Sequence, residues 1–355
     1  MKPTISLVMI VKNEERTLLR CLESTSKYVD EIIIVDTGSK DQTIEIARAF
    51  GAKIYNFQWV DDFSAARNYA LDQTSCDWCL VLDADEYILN DCYDTIRTFI
   101  AKGPAIGKVK RIDDFSGSDG INHEITYISR LFPANCRYVG MIHEQIVSEL
   151  PRIQVNVEIQ HDGYLQQTKS DRNIPILLKA IDQNPDDSYY HYQIAKEYRG
   201  IEDHERSFHY FKLAYQAINR MEGYAASIII NYLYSIIASG HLEEGIAVIQ
   251  NEQEFMFDYP DFYFVSALYL LELILSDPVR YGHMISTIEQ YYMKALEIGE
   301  TEKEGSVVGT GSFAAHYNLG VYYEVTGNLV KASEQYKLAA AYDYRPAWDR
   351  LELYK

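Results

Sequence analysis

The chain has 355 residues, 47% of them hydrophobic, and a formal net charge of −19. That length suits about two domains with real cores. The acid excess is carried throughout, with 17 basic and 25 acidic side chains in residues 1–163 and 16 and 27 in residues 164–355; nucleic acid and anionic membranes would be repelled, and a cationic or neutral partner is favoured beside the plainer gain in solubility. The five cysteines all precede residue 140, an odd number that makes no disulfide framework, and the single CxxC of Cys76 and Cys79 has no second pair and reads as core packing. No apolar run approaches the ~18 residues that span a bilayer and no leader-like segment opens the chain, so a cytoplasmic protein without stable membrane association is expected.

Strand and helix signals alternate through the first half. Residues 5–11 are apolar and β-branched, 14–27 carry helical spacing through Leu18, Leu19 and Leu22, and 31–35 form a second strand that ends at Asp36. A turn at Thr37-Gly38-Ser39-Lys40-Asp41 leads to a helix over 42–50, a stop at Gly51, a short strand over 52–55 and a helix over 63–72. The next strand, Cys79-Leu80-Val81-Leu82, runs into Asp83-Ala84-Asp85-Glu86. Such alternation implies a parallel sheet, and ligands of open α/β sheets bind beyond the carboxyl ends of the strands. Asp83 and Asp85 then read either as a solvated acidic turn or as oxygen ligands for Mg²⁺ or Mn²⁺ bridging phosphates. Farther on, residues 113–120 are a polar, glycine-containing loop, read as a lid or as a hairpin connection, and the alternating Val155–Ile159 precedes His161-Asp162-Gly163-Tyr164. His161, at a strand end, reads as a structural histidine or as a further metal ligand. Residues 166–186 form a connecting helix closed by Asn184-Pro185.

From residue 187 the texture becomes aromatic and helical. Ile194, Ala195, Tyr198, Ser207, Phe211 and Ala214 share their spacing with Leu319, Gly320, Tyr323, Ala332, Tyr336 and Ala339. This is the tetratricopeptide pattern, in which small residues let paired helices approach and aromatics fill the gaps. A degenerate copy runs through Tyr232, Leu233, Ile236, Gly240 and Ile249, and a third pair spans 262–275 and 284–296 around Pro278 and Gly282. Most of the 30 tyrosines are then packing residues.

Asp36 ends its strand as Asp83 and Asp85 end theirs, so the three can converge on one crevice beside Val11-Lys12-Asn13-Glu14. A carboxylate with adjacent backbone groups suits the donor and acceptor edge of uracil. Arg67, in Asp61-Asp62-Phe63-Ser64-Ala65-Ala66-Arg67-Asn68, sits at an expected helix start where a guanidinium can meet a phosphate or carboxylate. Together I-V-K-N-E, V-D-T-G-S-K-D-Q-T, D-F-S-A-A-R-N and L-D-A-D-E resemble the successive motifs of family 2 glycosyltransferases of the GT-A fold. Arg130-Leu131-Phe132, the stretch Tyr138–Glu144 and the stretch His161–Tyr164 resemble a subgroup with C-terminal tetratricopeptide repeats that includes the sublancin-type peptide S-glycosyltransferases.

The resemblance implies a GT-A nucleotide-sugar domain over residues 1–165, α/β with a mostly parallel sheet, a connecting helix over 166–186, and an all-α repeat domain over 187–355. It implies that Asp36 reads uracil with Val11, Asn13 and Glu14, that Arg67, Asp83 and Ala84 lie at the nucleotide, and that Asp85, with Asp83 and His161, holds Mg²⁺ or Mn²⁺. A divalent ion across both phosphates is what makes a nucleotide diphosphate a good leaving group. Inverting transfer needs one base opposite the departing phosphate. Glu144 is the expected base, with His143 orienting the site or contacting phosphate; an Arg130–Glu144 ion pair is the structural alternative.

The expected activity is transfer of a hexose from a UDP-sugar, UDP-glucose first, to Cys or Ser of a ribosomal peptide, a bacteriocin precursor. The acceptor would be basic and Cys-containing, to suit acidic repeats, and the repeats also offer a homodimer interface. A cell-surface saccharide is the alternative acceptor, and an inactive repeat scaffold is the alternative class, which intact Asp36, Asp83 and Asp85 argue against. The stretch between the acidic motif and the repeats is short, so the acceptor side of the catalytic domain looks abbreviated.

Overall fold

The computed structural model describes residues 2–117, 120–161, 170–303 and 305–353, the side chains of 114–117 and 120–124 apart. Asp162, Gly163, Tyr164 and the start of the expected connecting helix fall outside them. The chain divides into two units, residues 1–116 with 125–185, and 117–124 with 186–355.

In the first unit β1 (Ile5–Val11), β2 (Glu31–Asp36), β3 (Lys53–Asn56) and β4 (Trp78–Val81) are the strands expected from the apolar runs. Then come β5 (Glu86–Ile88), β6 (Ile106–Gly117), β7 (Gly120–Pro133) and, after the small hairpin of β8 (Arg137–Val139) and β9 (Gln145–Val147), β10 (Arg152–His161). The main sheet has the order β3-β2-β1-β4-β7-β6-β10-β5. Its β3-β2-β1-β4 side and the β6–β10 pair are parallel, while β7 and β5 run antiparallel to β4 and β10. Strands buried on both faces explain the continuous apolar runs. Ile5, Leu7, Met9 and Val11 of β1 pack on one face with Leu18, Cys21 and Leu22, and Val8 on the other with Ala70 and Leu71.

Helices α1 (Leu18–Thr25), α2 (Thr43–Ala49), α3 (Phe63–Leu71), α4 (Tyr93–Ala101) and α5 (Ser170–Gln183) complete the unit. The first is shorter than its periodicity suggests. Residues 14–17 are used instead to tie the strand end down, Glu14 N donating to Thr43 Oγ1 at 2.7 Å. The polar 113–120 stretch is the distal part of the β6–β7 hairpin, with residues 118–119 outside the described part. All five cysteines are free, and burial pushes the Cys79 thiol up to about 12, as a core residue requires.

Glu31 fastens the amino-terminal edge of this sheet. Its carboxylate accepts from Ser75 N at 3.0 Å, Ser75 Oγ at 2.8 Å, Ser6 Oγ and Lys53 Nζ. Burial alone would raise its pKa, but these donors outweigh burial and hold it down to about 2 against a usual 4.5. A carboxylate depressed by folding contributes stability above its unfolded pKa, and that contribution is lost as pH falls through the folded value. The Tm difference between wild type and Glu31→Gln is therefore expected to be largest above pH 5 and to shrink steadily between about pH 4.5 and 2. A difference independent of pH over that range would show that the charge is not what matters.

The second unit is helical. α6 (Ser188–Gly200) with α7 (His204–Ala217), and α13 (Phe313–Val325) with α14 (Leu329–Ala340), are the two pairs given by the spacing, and Ile194, Ala195, Phe211, Ala214, Leu319, Ala332, Tyr336 and Ala339 are fully buried. Between them lie α8 (Ala225–Ser239), α9 (Gly245–Glu252), α10 (Pro260–Ser276), the single-turn α11 (Pro278–Tyr281) and α12 (Ile285–Ile298), before the closing α15 (Arg345–Glu352). Gly320 is required by close approach. A Cβ there would lie 2.6 Å from the Tyr336 ring, which is itself buried and donates to Glu324. Gly320→Val is expected to cost about 1–3 kcal/mol of stability through overpacking. Urea denaturation checks this, and an unchanged midpoint would mean that the helices are free to part. Among the described residues no helix is long and apolar enough to cross a membrane.

Candidate active site

The carboxyl edge of the parallel strands gathers the acidic residues. Register pairs Val11 with Asp36, and β1 with β4 as far as Val8 and Val81, so continuing both strands brings Asp83 to Asp85 to the level of Val11 and Asp36. Asp36 is 7% exposed and accepts from Ser39 N at 3.0 Å. Asn13 holds the opposite lip in a left-handed conformation (φ 57°), which Asn tolerates, with its N–H on Ser39 Oγ and its Oδ1 accepting from Lys40 N at 2.8 Å. The Val11 carbonyl accepts from Thr37 N at 2.9 Å. The segments 11–14 and 36–43 are thus laced into one rigid rim, where the uracil-binding residues were expected.

Ala84 is buried in the sheet core and splits the two aspartates between different partners. Asp83 Oδ1 accepts from Arg67 Nη2 and Asp83 Oδ2 from Arg130 Nη2, both at 2.7 Å. Burial would raise its pKa, but the two guanidinium groups overcome this and hold it well below the usual carboxylate range. Arg67 lies in the second turn of α3 rather than at its start, which Asp62 caps by accepting from Ala65 N. Its Nε donates to Glu144 Oε1, so Glu144 is a 9% exposed partner in an ion pair with Arg67 instead of Arg130. Arg130 Nη2 also donates to Glu86 Oε1 at 2.6 Å, and Glu86 is fully buried.

Asp85 has another neighbourhood. Because β5 starts directly after the acidic motif and pairs antiparallel with β10, His161 stands opposite Glu86, beside Asp85. His161 Nε2 lies 3.5 Å from Asp85 Oδ2, while Nδ1 lies 2.6 Å from Asp113 Oδ1. Burial works against a charged imidazole, but the hydrogen bonds to Asp113 and Asp85 outweigh it and push its pKa up to about 10. Arg111 Nε donates to Asp113 Oδ2 at 3.0 Å and Arg111 Nη1 lies 3.6 Å from Glu86 Oε1. The result is one chain of alternating charge: Glu144, Arg67, Asp83, Arg130, Glu86, Arg111, Asp113, His161, Asp85. Among the described residues no group of three or more His, Cys, Asp or Glu is arranged to hold a metal by itself. A carboxylate and an imidazole facing each other, both about one-tenth exposed, are nevertheless a donor pair that a divalent ion accepts, with phosphate oxygens and water as its other ligands.

Glu144 and His143 lie between β8 and β9. Asn68 of α3 grips this hairpin like a strand, Nδ2 donating to the Tyr138 carbonyl at 2.9 Å and Oδ1 accepting from Tyr138 N at 2.8 Å. Phe63 N donates to Met141 O at 2.8 Å, and His143 is held at φ 51°, unusual for a non-glycine residue. Glu86, Arg111, Arg130 and Asp113 are not among the site residues expected from the sequence. The signals available were Glu86 closing L-D-A-D-E, Arg130 opening Arg130-Leu131-Phe132 and Asp113 opening the polar 113–120 stretch.

Residues 6–149 match the family described as glycosyl transferase family 2. A TPR repeat-containing protein of Synechococcus elongatus is 34% identical over 206 residues, 52% of this chain and 50% of that protein. The SPbeta prophage-derived glycosyltransferase SunS of Bacillus subtilis is 26% identical over 232 residues, 59% of this chain and 53% of that protein. The chain thus spans about half the length of these curated relatives. Glucosyl-3-phosphoglycerate synthase of Mycobacterium tuberculosis, solved with Mn²⁺ and UDP-glucose, is 28% identical over 31% of this chain and 44% of that chain, with a TM-score of 0.26, too low to set any geometry here.

Proposed function

We propose that this chain, whose residues 6–149 match glycosyl transferase family 2, transfers a hexose from a UDP-sugar, UDP-glucose first, to a Cys or Ser side chain of a basic ribosomal peptide, with inversion and in the cytoplasm. The observation that carries the reading is the facing pair of Asp85 and His161 at the same sheet edge as Asp36. Asp36 and the laced rim of 11–14 would take the uracil, and Asp83, fixed between Arg67 and Arg130, would set the position of the ribose and diphosphate. Asp85 and His161 would hold Mg²⁺ or Mn²⁺. When bound, such an ion neutralises the charge that develops on the departing diphosphate.

Arg67 ties the nucleotide side to the acceptor side, because the guanidinium that holds Asp83 also fixes Glu144 Oε1. That leaves Glu144 Oε2, which accepts no hydrogen bond among the described residues, as the proposed base for the acceptor S–H or O–H. His143, in its constrained turn, would orient the same edge. The acidic repeat region, residues 187–355 with 13 basic and 24 acidic side chains, supports a basic peptide through charge complementarity.

The acceptor is tested by incubating the protein with UDP-glucose, Mn²⁺ and one of three acceptors: a basic peptide with a single Cys, the same peptide with Ser, or an oligosaccharide. Intact-mass spectrometry should find one added hexose on the Cys or Ser peptide. Hexose on the oligosaccharide alone would overturn the peptide reading.

A further inference from the structure

Asp113 lies on β6, outside every motif that marks the nucleotide site, yet it is only 4% exposed and sits directly beside His161 in the β6–β10 register. That register is not the one β10 starts with. Val155 pairs with Val109, which carried forward would set Ile159 opposite Asp113, but the ladder shifts between Val155 and Glu158 and puts His161 there instead. An irregularity of this kind re-aims a side chain at the cost of local ladder bonds. Asp113 is itself fixed: Oδ2 accepts from Arg111 Nε at 3.0 Å and from Thr126 Oγ1 at 3.2 Å, leaving Oδ1 for His161 Nδ1 at 2.6 Å.

We propose that Asp113 is a positioning residue for the divalent-ion site, locking the His161 ring so that Nδ1 carries the proton and Nε2 faces the ion beside Asp85. A ligating histidine commonly gives its second ring N–H to a carboxylate, which fixes tautomer and ring orientation and strengthens the ligand. The strand register, the two further donors on Asp113 and the direction of Nε2 toward Asp85 fit that role together. The proposal rests on the reading of Asp85 and His161 as the ion's protein ligands.

Mn²⁺ alone is the probe, with free Mn²⁺ followed by electron paramagnetic resonance in the full chain. Asp113→Asn should raise the Mn²⁺ Kd by about 10- to 100-fold, and raise the KM for Mn²⁺ in turnover with kcat at saturating Mn²⁺ little changed. Asp85→Ala run in parallel separates the two ideas. If Asp85→Ala loses Mn²⁺ while Asp113→Asn keeps wild-type affinity, the Asp113 role is wrong and the metal reading stands. If Asp85→Ala binds as wild type does, the metal reading itself has failed. Should Asp113→Asn not fold, ¹⁵N spectra of His161 in the wild-type protein decide the matter. With Zn²⁺ as a diamagnetic probe, Nδ1 should stay protonated and Nε2 shift on binding, and the reverse pattern would overturn the proposal.

Discussion

Asp85→Ala is expected to lower transferase turnover by about a thousandfold, the equivalent of about 4 kcal/mol of transition-state stabilisation. The residue is one of two donors that face each other at the carboxyl edge, and His161 cannot supply a negative charge in its place. Loss of the carboxylate would leave the developing charge of the diphosphate without its counter-ion. Because the Asp85 side chain is about one-tenth exposed and lies at the strand end, not in the sheet core, the variant should fold with a far-ultraviolet spectrum like that of wild type. Initial rates measured over a range of Mn²⁺ concentrations make the comparison clean. Full activity in Asp85→Ala would remove the metal assignment.

Arg130→Met is expected to cost stability on a similar scale, about 3–5 kcal/mol, because removing one partner from a buried ion pair leaves an uncompensated charge. Arg130 is 7% exposed and one of its nitrogens serves two carboxylates, Asp83 and the fully buried Glu86. Asp83 keeps Arg67 in the variant. Glu86 keeps the Asp83 N–H at 3.0 Å on Oε2, but its one remaining cation among the described residues is Arg111, whose Nη1 is 3.6 Å away. Adding Glu86→Gln should therefore recover part of the loss, since the under-compensated buried charge is then gone. Urea denaturation of the two single variants and the double variant supplies the cycle. A loss below about 1 kcal/mol for Arg130→Met, the range of exposed pairs, would show that water reaches the network.

Much of this architecture is legible in the chain. Residues 5–11 and 31–36 declare interior strands because both faces are covered and residues 7–11 and 32–35 are unbroken apolar runs, and the helix pairs of residues 188–217 and 313–340 declare themselves through small residues at fixed spacing, Gly320 against Tyr336 among them. The acidic residues at the carboxyl edge follow from the strand ends. What the sequence does not carry is register. Nothing in the local pattern says that β10 shifts between Val155 and Glu158, so nothing says that Asp113 meets His161. Nor does sequence distribute ion pairs: Arg130 and Glu144 stand in motifs close together, yet the fold gives Glu144 to Arg67, because Asn68 anchors α3 to Tyr138 and brings the helix against the β8–β9 turn. Charge pairing across 44 to 77 residues is settled by topology, not by neighbourhood.

On the proposed function, this sheet edge binds and cleaves a nucleotide sugar with the help of a divalent ion. The most direct measurement is release of UDP from a panel of UDP-hexoses, with Mn²⁺ and then with excess chelator. At least one sugar, UDP-glucose first, should give UDP release that stops when the metal is removed and returns when it is restored; no release from any UDP-hexose, or release indifferent to the chelator, would rule out metal-assisted cleavage of a nucleotide sugar at this edge.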